Sequence, residues 1–235
     1  MALIYNGEEL PCAAEVVDWH EHGLEFKPGM GHNRKRRHEP NLLVGHWTGG
    51  EGDERRIFNT LRRRGLGIHW TIPYDGVIYQ HCDPALVAVA HAGRGNNSRS
   101  MGVELQNRGF PKRRADGRDR TKAPAVPTRA SVVSAGRGKF PRGIYRDRLH
   151  GRRVSMCYFT VEQVEAWICL CDALTAADII VPQVPKNSAG ELIQRQLPPS
   201  KRKRFEGVVG HYHLSGKKYD PGTDLLNALI LEEGY

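Results

Sequence analysis

The sequence lacks any long apolar run. None of its hydrophobic stretches approaches the roughly 20 residues that a membrane-spanning helix needs, although 39% of its 235 residues are hydrophobic, which is enough for a buried core. The start of the chain, Met1-Ala-Leu-Ile-Tyr-Asn-Gly, has neither the basic residues nor the apolar stretch of a secretory signal peptide. We therefore expect synthesis in the cytoplasm without ordinary secretion.

Cysteine is scarce, and its pattern points to neither disulfides nor a metal cluster. The chain has five cysteines, an odd number, with no Cys-x-x-Cys spacing. Cys169 and Cys171 are two positions apart in a stretch with helical periodicity, so their side chains diverge. This pattern is typical of reduced, buried thiols in a protein made in a reducing compartment.

Acidic residues are scarce in one segment only. Residues 108–153 contain 15 Lys and Arg against three Asp, a local charge of +12 in a chain whose net charge is +9. The remainder of the chain is therefore slightly acidic. Because the segment is also rich in Gly, Pro, Ser and Ala, we interpret residues 108–158 as an extended, solvated basic arm. Its charge would attract a polyanion, but its few aromatic residues give little support for stacking on nucleic-acid bases.

Hydrophobic periodicity predicts strands alternating with a few helices. Strand patterns occupy 41–48, 68–72, 77–80, 86–90, 100–106 and 207–210. One helix is expected between Asp53 and Gly65. A longer helix opens with a capping box of Thr160 and Gln163, and a last helix is expected to be capped by Thr223.

These elements predict an α/β fold with a single domain over residues 41–235. We expect a central mixed β-sheet flanked by helices, interrupted by the long basic insertion 108–158. Residues 1–40 are mostly polar and predict an irregular N-terminal extension, with a short hairpin at Leu3–Gly7 and a solvated basic run at Asn33–His38.

Two histidines and one aspartate are placed for metal binding. His46 and His211 each end a short apolar strand, and Asp220 follows nine residues after His211. Strand ends hold side chains rigidly, and two imidazoles with one carboxylate fill three of the four positions around zinc, which leaves the fourth for water in a catalytic site. From spacing alone, each histidine could equally be structural.

Five sequence blocks around these residues come in a fixed order. They are Val44-Gly-His-Trp-Thr48, His69–Tyr79, His91-Ala-Gly93, Ser100–Glu104 and Gly210–Gly222. The order resembles the type 2 N-acetylmuramoyl-L-alanine amidases, a family that includes phage amidases, muropeptide-recycling amidases and animal peptidoglycan-recognition proteins. The resemblance covers 41–107 and 159–231. It implies the amidase/peptidoglycan-recognition fold and hydrolysis of the amide between N-acetylmuramic acid and L-alanine in peptidoglycan or muropeptides.

The resemblance also implies roles for individual residues. His46, His211 and Asp220 match the family's ligands for one zinc ion, Lys218 matches a lysine that stabilises the oxyanion, and Glu104 matches a general base. The alternatives are that Glu104 is an ordinary carboxylate at the sheet edge and Lys218 a solvated loop cation.

One position departs from part of the family. Some branches have a catalytic Tyr where this chain has Ile68, whose side chain cannot donate a proton. Those branches tend to lack the acidic residue that corresponds to Glu104. The chain therefore resembles the branches that use glutamate, and the departure predicts a different proton carrier rather than an inactive site.

Substrate contacts are predicted at Trp47, His69 and His91. His69 is also open to interpretation as a packed structural residue, and His91 as a loop cap. His213 would share a face with His211 if the strand continued, but it has no family match. The motif His20-Glu21-His22 gives only a weak metal signal in its polar surroundings.

Two other functions stay open. The same fold can serve as a non-catalytic peptidoglycan-binding module, although loss of a metal ligand is the expected mark of one. Alternatively, the basic insertion could make this a protein that binds nucleic acid or another polyanion. Within the amidase interpretation, the insertion would bind an anionic cell-wall polymer, and the monomeric enzyme would act in cytoplasmic recycling or as a phage or prophage lysin on the wall.

Overall fold

The computed structural model describes residues 1–111 and 143–235. The strands are β1 (Ala2–Tyr5), β2 (Glu8–Pro11), β3 (Val16–Val17), β4 (Arg34–Lys35), β5 (Leu42–Trp47), β6 (Trp70–Ile72), β7 (Ile78–Gln80), β8 (Val87–Ala88), β9 (Ser100–Leu105), β10 (Ile144–Leu149), β11 (Arg152–Cys157) and β12 (Gly207–Gly210). The helices are α1 (Trp19–His22), α2 (Glu54–Arg63), α3 (Val161–Ala176), α4 (Pro199–Arg204), α5 (His211–Leu214) and α6 (Asp224–Glu233).

A six-stranded mixed sheet organises the domain. Its strand order is β12-β5-β9-β6-β7-β3. Strands β12, β5, β9 and β6 run parallel to one another, whereas β7 is antiparallel to β6. The carboxyl ends of β12, β5 and β9 therefore meet at one edge, where ligands bind in open α/β sheets. The predicted α/β class with a central mixed sheet is confirmed.

Both faces of the sheet are covered. Leu43 of β5 packs in a large cluster with residues of α3 and α6, including Trp167 and Leu229. Its neighbours Leu42 and Val44 belong to a second cluster, as the alternation of side chains along a strand requires. Sheet residues buried on both faces explain why these strands are continuous apolar runs in the sequence.

Helix α3 begins at the predicted capping box. Gln163 N donates to Thr160 Oγ1 at 3.1 Å, and Thr160 N donates to Gln163 Oε1 at 3.1 Å. Among the apolar residues of this helix, Val161, Val164 and Ile168 are only half-buried. Gln163 and Leu170 are fully buried instead.

The expected irregular extension 1–40 is wrong in part, because short strands and one helical turn form within it. The hairpin is confirmed, with Asn6 and Gly7 both at positive φ between β1 and β2. Beyond it, β3 pairs with β7 as an edge strand of the main sheet. The basic run is not wholly solvated, because Arg36 is only 7% exposed and donates to the backbone oxygens of Ser98 and Ser100.

The expected extended arm is wrong for its last part. Residues 144–157 form an antiparallel hairpin of β10 and β11. The inward residues Tyr145, Leu149 and Met156 are buried in the main core. Buried positions 145, 147 and 149 alternate with the exposed Arg146 and Arg148, but the sequence hides this strand pattern because Asp147 occupies one of the inward positions. The rest of the expected arm, 112–142, lies outside the described residues.

The start of α6 and the state of the cysteines can be compared with the sequence predictions. Thr223 precedes α6 as predicted but makes no side-chain cap; its N–H and hydroxyl both donate to Asp147 Oδ2, at 3.0 Å each. All five cysteines are free thiols, as predicted. Within 1–111 and 143–235, no helix has the length and apolar character required to cross a membrane.

Candidate metal centre

Three elements bring the predicted ligands to the carboxyl edge of the sheet. His46 is near the end of β5, and His211 follows directly after β12, the neighbouring parallel strand. Asp220 lies in the loop before α6, and its carbonyl accepts a hydrogen bond from Tyr212 N at 3.1 Å. Glu104 stands beside His46 in register on β9.

The three side chains predicted as ligands converge on one point. Asp220 Oδ2 lies 2.9 Å from His46 Nδ1 and 2.9 Å from His211 Nδ1. All three side chains are buried, and their ligand atoms lie within 4.8 Å of one another. Among the described residues, no other trio of His, Cys, Asp or Glu side chains is grouped in this way.

The electrostatics of the cluster favour binding of a cation. Burial and the nearby His211 lower the pKa of His46 to about 4. Burial alone would raise the pKa of Asp220, but hydrogen bonds from His211 and His46 hold that pKa below its ordinary value. A neutral imidazole and an ionised carboxylate are the protonation states in which these groups ligate metals.

A chain of hydrogen bonds leads away from His46. Its Nε2 lies 3.0 Å from His91 Nδ1, and His91 Nε2 lies 3.0 Å from Ser100 Oγ. If His46 Nδ1 faces a metal, then its Nε2–H donates to His91 and His91 donates to Ser100. Partners of this kind fix the tautomer and orientation of a ligating histidine.

A cavity of about 230 Å³ opens beside the cluster. Glu104 and Lys218 both line it. Glu104 Oε2 is buried and has no hydrogen-bond partner among the described residues. Burial, followed by repulsion from Asp220, raises the pKa of Glu104, whereas Lys218 and Arg64 oppose the rise. The cavity therefore combines a metal-ligand cluster, a carboxylate and an ammonium group.

The predicted substrate-contact residues divide into two groups. Trp47 and His91 line the cavity, as does Ile68 at the departing position. His69 is fully buried, its Nδ1 accepts from Gly102 N at 2.9 Å, and its Nε2 lies 3.0 Å from Val87 O. The expectation that His69 contacts substrate is therefore wrong. His69 is a packed structural residue, which was the alternative interpretation.

Two of the other histidines that were singled out, His213 and His22, are structural. His213 lies in α5 rather than in a strand, where its Nδ1 accepts from Gly210 N and its Nε2 donates to Ile193 O. In the His20-Glu21-His22 motif, His22 Nδ1 accepts from Leu24 N and its Nε2 bonds Gln80 O. These bonds use both ring nitrogens of each of these two histidines.

Two residues of the site were missed from the sequence. Arg64, just after α2, lines the cavity and lowers the pKa of Glu104. Ser100 begins β9 and supports His91. Arg64 is one of several arginines in and after α2, and a serine at the start of a strand carries no signal by itself.

Comparison with known proteins agrees with the geometry. A sequence profile described as N-acetylmuramoyl-L-alanine amidase matches residues 36–223. The chain belongs to this amidase family. The matched range includes all three ligand residues, Glu104 and Lys218, and begins five residues before the predicted domain boundary. The family resemblance seen in the motifs is thus confirmed.

Solved structures resemble this chain at low identity. The endolysin amidase LysCS of Clostridium intestinale URNW is 14% identical with a TM-score of 0.50, covering 94% of this chain and 95% of that one. The amidase LysC of the same organism is 14% identical with a TM-score of 0.51, covering 94% and 99%. Drosophila peptidoglycan recognition protein SD is 15% identical with a TM-score of 0.47, covering 92% and 94%. No curated protein matches the chain in sequence. The family match supports amidase activity on peptidoglycan, and the two Clostridium structures show the shared fold.

Proposed function

We propose that this protein is a zinc-dependent N-acetylmuramoyl-L-alanine amidase that hydrolyses the amide between N-acetylmuramic acid and L-alanine. The observation that carries the proposal is the convergence of His46, His211 and Asp220 beside a cavity that also holds Glu104 and Lys218. A module that only binds peptidoglycan would not need a metal-ligand cluster with a carboxylate and an ammonium group beside it.

The donor set fits zinc. Two imidazole nitrogens and one carboxylate oxygen, all buried, are a ligand set found in catalytic zinc sites with one position left for water or substrate. When bound there, zinc supplies Lewis acidity, which acidifies water and polarises an amide carbonyl. His91 and Ser100 would hold the His46 ring in the orientation that ligation requires.

Glu104 is proposed as the general base and acid. Its unpartnered Oε2 leaves a carboxylate oxygen available to accept a proton from the attacking water. The same carboxyl group then returns the proton to the leaving amine of L-alanine. Ile68 cannot take this role. Among the described residues that line the cavity, Glu104 is the one carboxylate besides Asp220.

Lys218 is proposed to stabilise the negative charge that develops on the carbonyl oxygen. Its side chain is exposed at the cavity mouth, and its charge acts on both His46 and Glu104. In other enzymes, removing one group that stabilises the developing negative charge raises the activation free energy by about 3 kcal/mol.

Two variants separate metal binding from proton transfer. His211→Ala should lose both bound zinc and amine release from purified peptidoglycan, because it removes one of three ligands. Glu104→Gln should retain zinc and lose turnover by about 100-fold or more. A native protein that binds peptidoglycan but neither holds zinc nor releases amines would instead be a binding module. Near-native turnover in Glu104→Gln would exclude Glu104 as the base.

We also propose that the basic insertion binds an anionic wall polymer, which favours action as a lysin on the wall. Arg146, Arg148 and Arg153 project from one exposed face of the β10–β11 hairpin, with Arg148 directly opposite Arg153. Like charges opposite each other destabilise a hairpin unless an anion lies between them. The fraction of protein that sediments with insoluble cell wall should fall as salt is added. It should also fall when the three arginines are changed to Gln. Equal sedimentation of that variant and the native protein would contradict the proposal.

A further inference from the structure

We propose that the β10–β11 hairpin is a brace for the loop Lys218–Thr223, with His150 as the positioning residue for Lys218. The proposal rests on the proposed function in so far as Lys218 and Asp220 work in the site. The hairpin lies at the end of the basic insertion, and its turn and inward face contact this loop at three points.

The first contact is made by the hairpin turn. His150 Nδ1 accepts from Gln196 N at 3.3 Å, so the ring proton lies on Nε2. His150 Nε2 therefore donates to Lys218 O at 2.8 Å. The edge of the ring also meets Tyr219, with 5.6 Å between centroids.

The backbone at His150 is unusual for a side chain of this size. His150 has φ 52° and Gly151 has φ 76°, the pattern of a two-residue type I′ turn, in which Asn or Gly is preferred at the first position. A non-glycine residue held at positive φ costs free energy. The hydrogen bond from its ring to Lys218 O gives a reason for a histidine, in place of Asn or Gly, at this position.

The second and third contacts lie on the inward face of β10. Asp147 Oδ2 accepts from Thr223 N and Thr223 Oγ1, both at 3.0 Å. Gly222 lies against Tyr145 Oη so closely that a Cβ at this position would overlap it. Lys218 and Asp220 are thus held between His150 at one end of the loop and Asp147 at the other.

This arrangement predicts an effect on turnover rather than on substrate binding. The Lys218 side chain is exposed, so its position depends on where the backbone places its Cα. A displacement of that backbone moves the ammonium group away from charge that develops only in the transition state, which lowers kcat and leaves KM nearly unchanged.

The test compares His150→Ala with His150→Gln, whose amide can donate the same hydrogen bond to Lys218 O. His20→Ala, an exposed histidine of α1, is the matched control. For each protein, kcat, KM, zinc content and amide hydrogen exchange over residues 215–223 are measured. We expect His150→Ala to lose about tenfold in kcat with zinc and KM unchanged, and its loop amides to exchange about tenfold faster. His150→Gln and His20→Ala should stay near native.

Hydrogen exchange tests the brace even if the native protein proves inactive, so its failure is distinguishable from failure of the proposed function. Native exchange in His150→Ala overturns the brace. Equal loss in His150→Gln and His150→Ala overturns the role of the hydrogen bond. Loop exchange that rises in His150→Ala while kcat stays native overturns the positioning of Lys218.

Discussion

Gly102 provides the space in which the His91 ring supports His46. A Cβ on Gly102 would lie 2.5 Å from His91 Nδ1 and 2.7 Å from Ile68 Cδ1, so Gly102→Ala should displace the ring from His46 Nε2. Loss of a supporting partner typically lowers metal affinity by about 10- to 100-fold. Zinc titration should show this loss, whereas Gly95→Ala, whose Cβ meets open space, should bind zinc as the native chain does. Equal affinity in both variants would contradict the role given to His91.

His81 couples stability to pH at a position away from the metal centre. The ring is fully buried; it donates to Leu24 O and accepts from Thr71 Oγ1. Burial lowers the pKa of His81 from 6.5 to about 3. The unfolded state therefore binds the extra proton first, and stability is present above pH 6.5 and lost as pH falls toward 3.

The expected loss due to His81 is about 2 kcal/mol between pH 7 and pH 5. Urea denaturation at both values should show a smaller pH-dependent loss for His81→Gln than for the native chain, even if the variant is less stable overall. An unchanged difference between the two pH values would show that His81 titrates normally in the folded protein.

The residues of the site differ in how well the sequence reveals them. His46 and His211 are recognisable because each ends a short apolar strand, and Asp220 because it follows at a short spacing in the family motif. Ser100 and Arg64 are not recognisable, since their roles depend on which strand lies beside which. The pairing of β5 with β9, which puts Glu104 beside His46, joins residues 58 positions apart and leaves no local signal.

At the scale of elements, Gln163 of α3 adds side-chain hydrogen bonds to the packing of this helix against the sheet. Gln163 closes the capping box, and its Nε2 donates to Ile72 O and Gln106 O at 2.9 Å each, at the ends of β6 and β9. Gln163→Ala keeps the bond from its backbone N to Thr160 Oγ1 but removes the reciprocal bond from Thr160 N, and it leaves two buried carbonyls without this donor. Unfolding free energy should fall by about 2–4 kcal/mol, as measured by urea denaturation. The exposed Gln194→Ala should change stability by under about 0.5 kcal/mol; comparable losses in both variants would contradict this account.

Elements with strong periodicity were predicted, and those held by distant contacts were not. Helix α3 and strand β5 carry their own caps and apolar runs. Strands β3 and β4 are two residues long, too short for a period to be visible, and form only because β7 and β8 lie beside them. Thr223 occupies the predicted N-cap position of α6, but its N–H and hydroxyl donate to Asp147, 76 residues away, instead of its side chain capping the helix.

At the scale of the whole molecule, a slightly acidic domain carries a strongly basic insertion. The sheet brings the carboxyl ends of β12, β5 and β9 to one edge, and the end of the insertion folds back as a hairpin against the loop that holds Lys218 and Asp220. Binding of the wall and hydrolysis of its amide would therefore involve neighbouring parts of one domain.

The most direct test of the proposed function is to identify the bond that is cut. Purified peptidoglycan is digested with the native protein, and new amino termini are labelled and analysed by mass spectrometry. The proposed activity predicts that L-alanine alone gains a labelled amino group, that a zinc chelator abolishes the label, and that added zinc restores it. Labelling of a different residue, or labelling that persists without zinc, would contradict the proposal that this chain is a zinc-dependent N-acetylmuramoyl-L-alanine amidase.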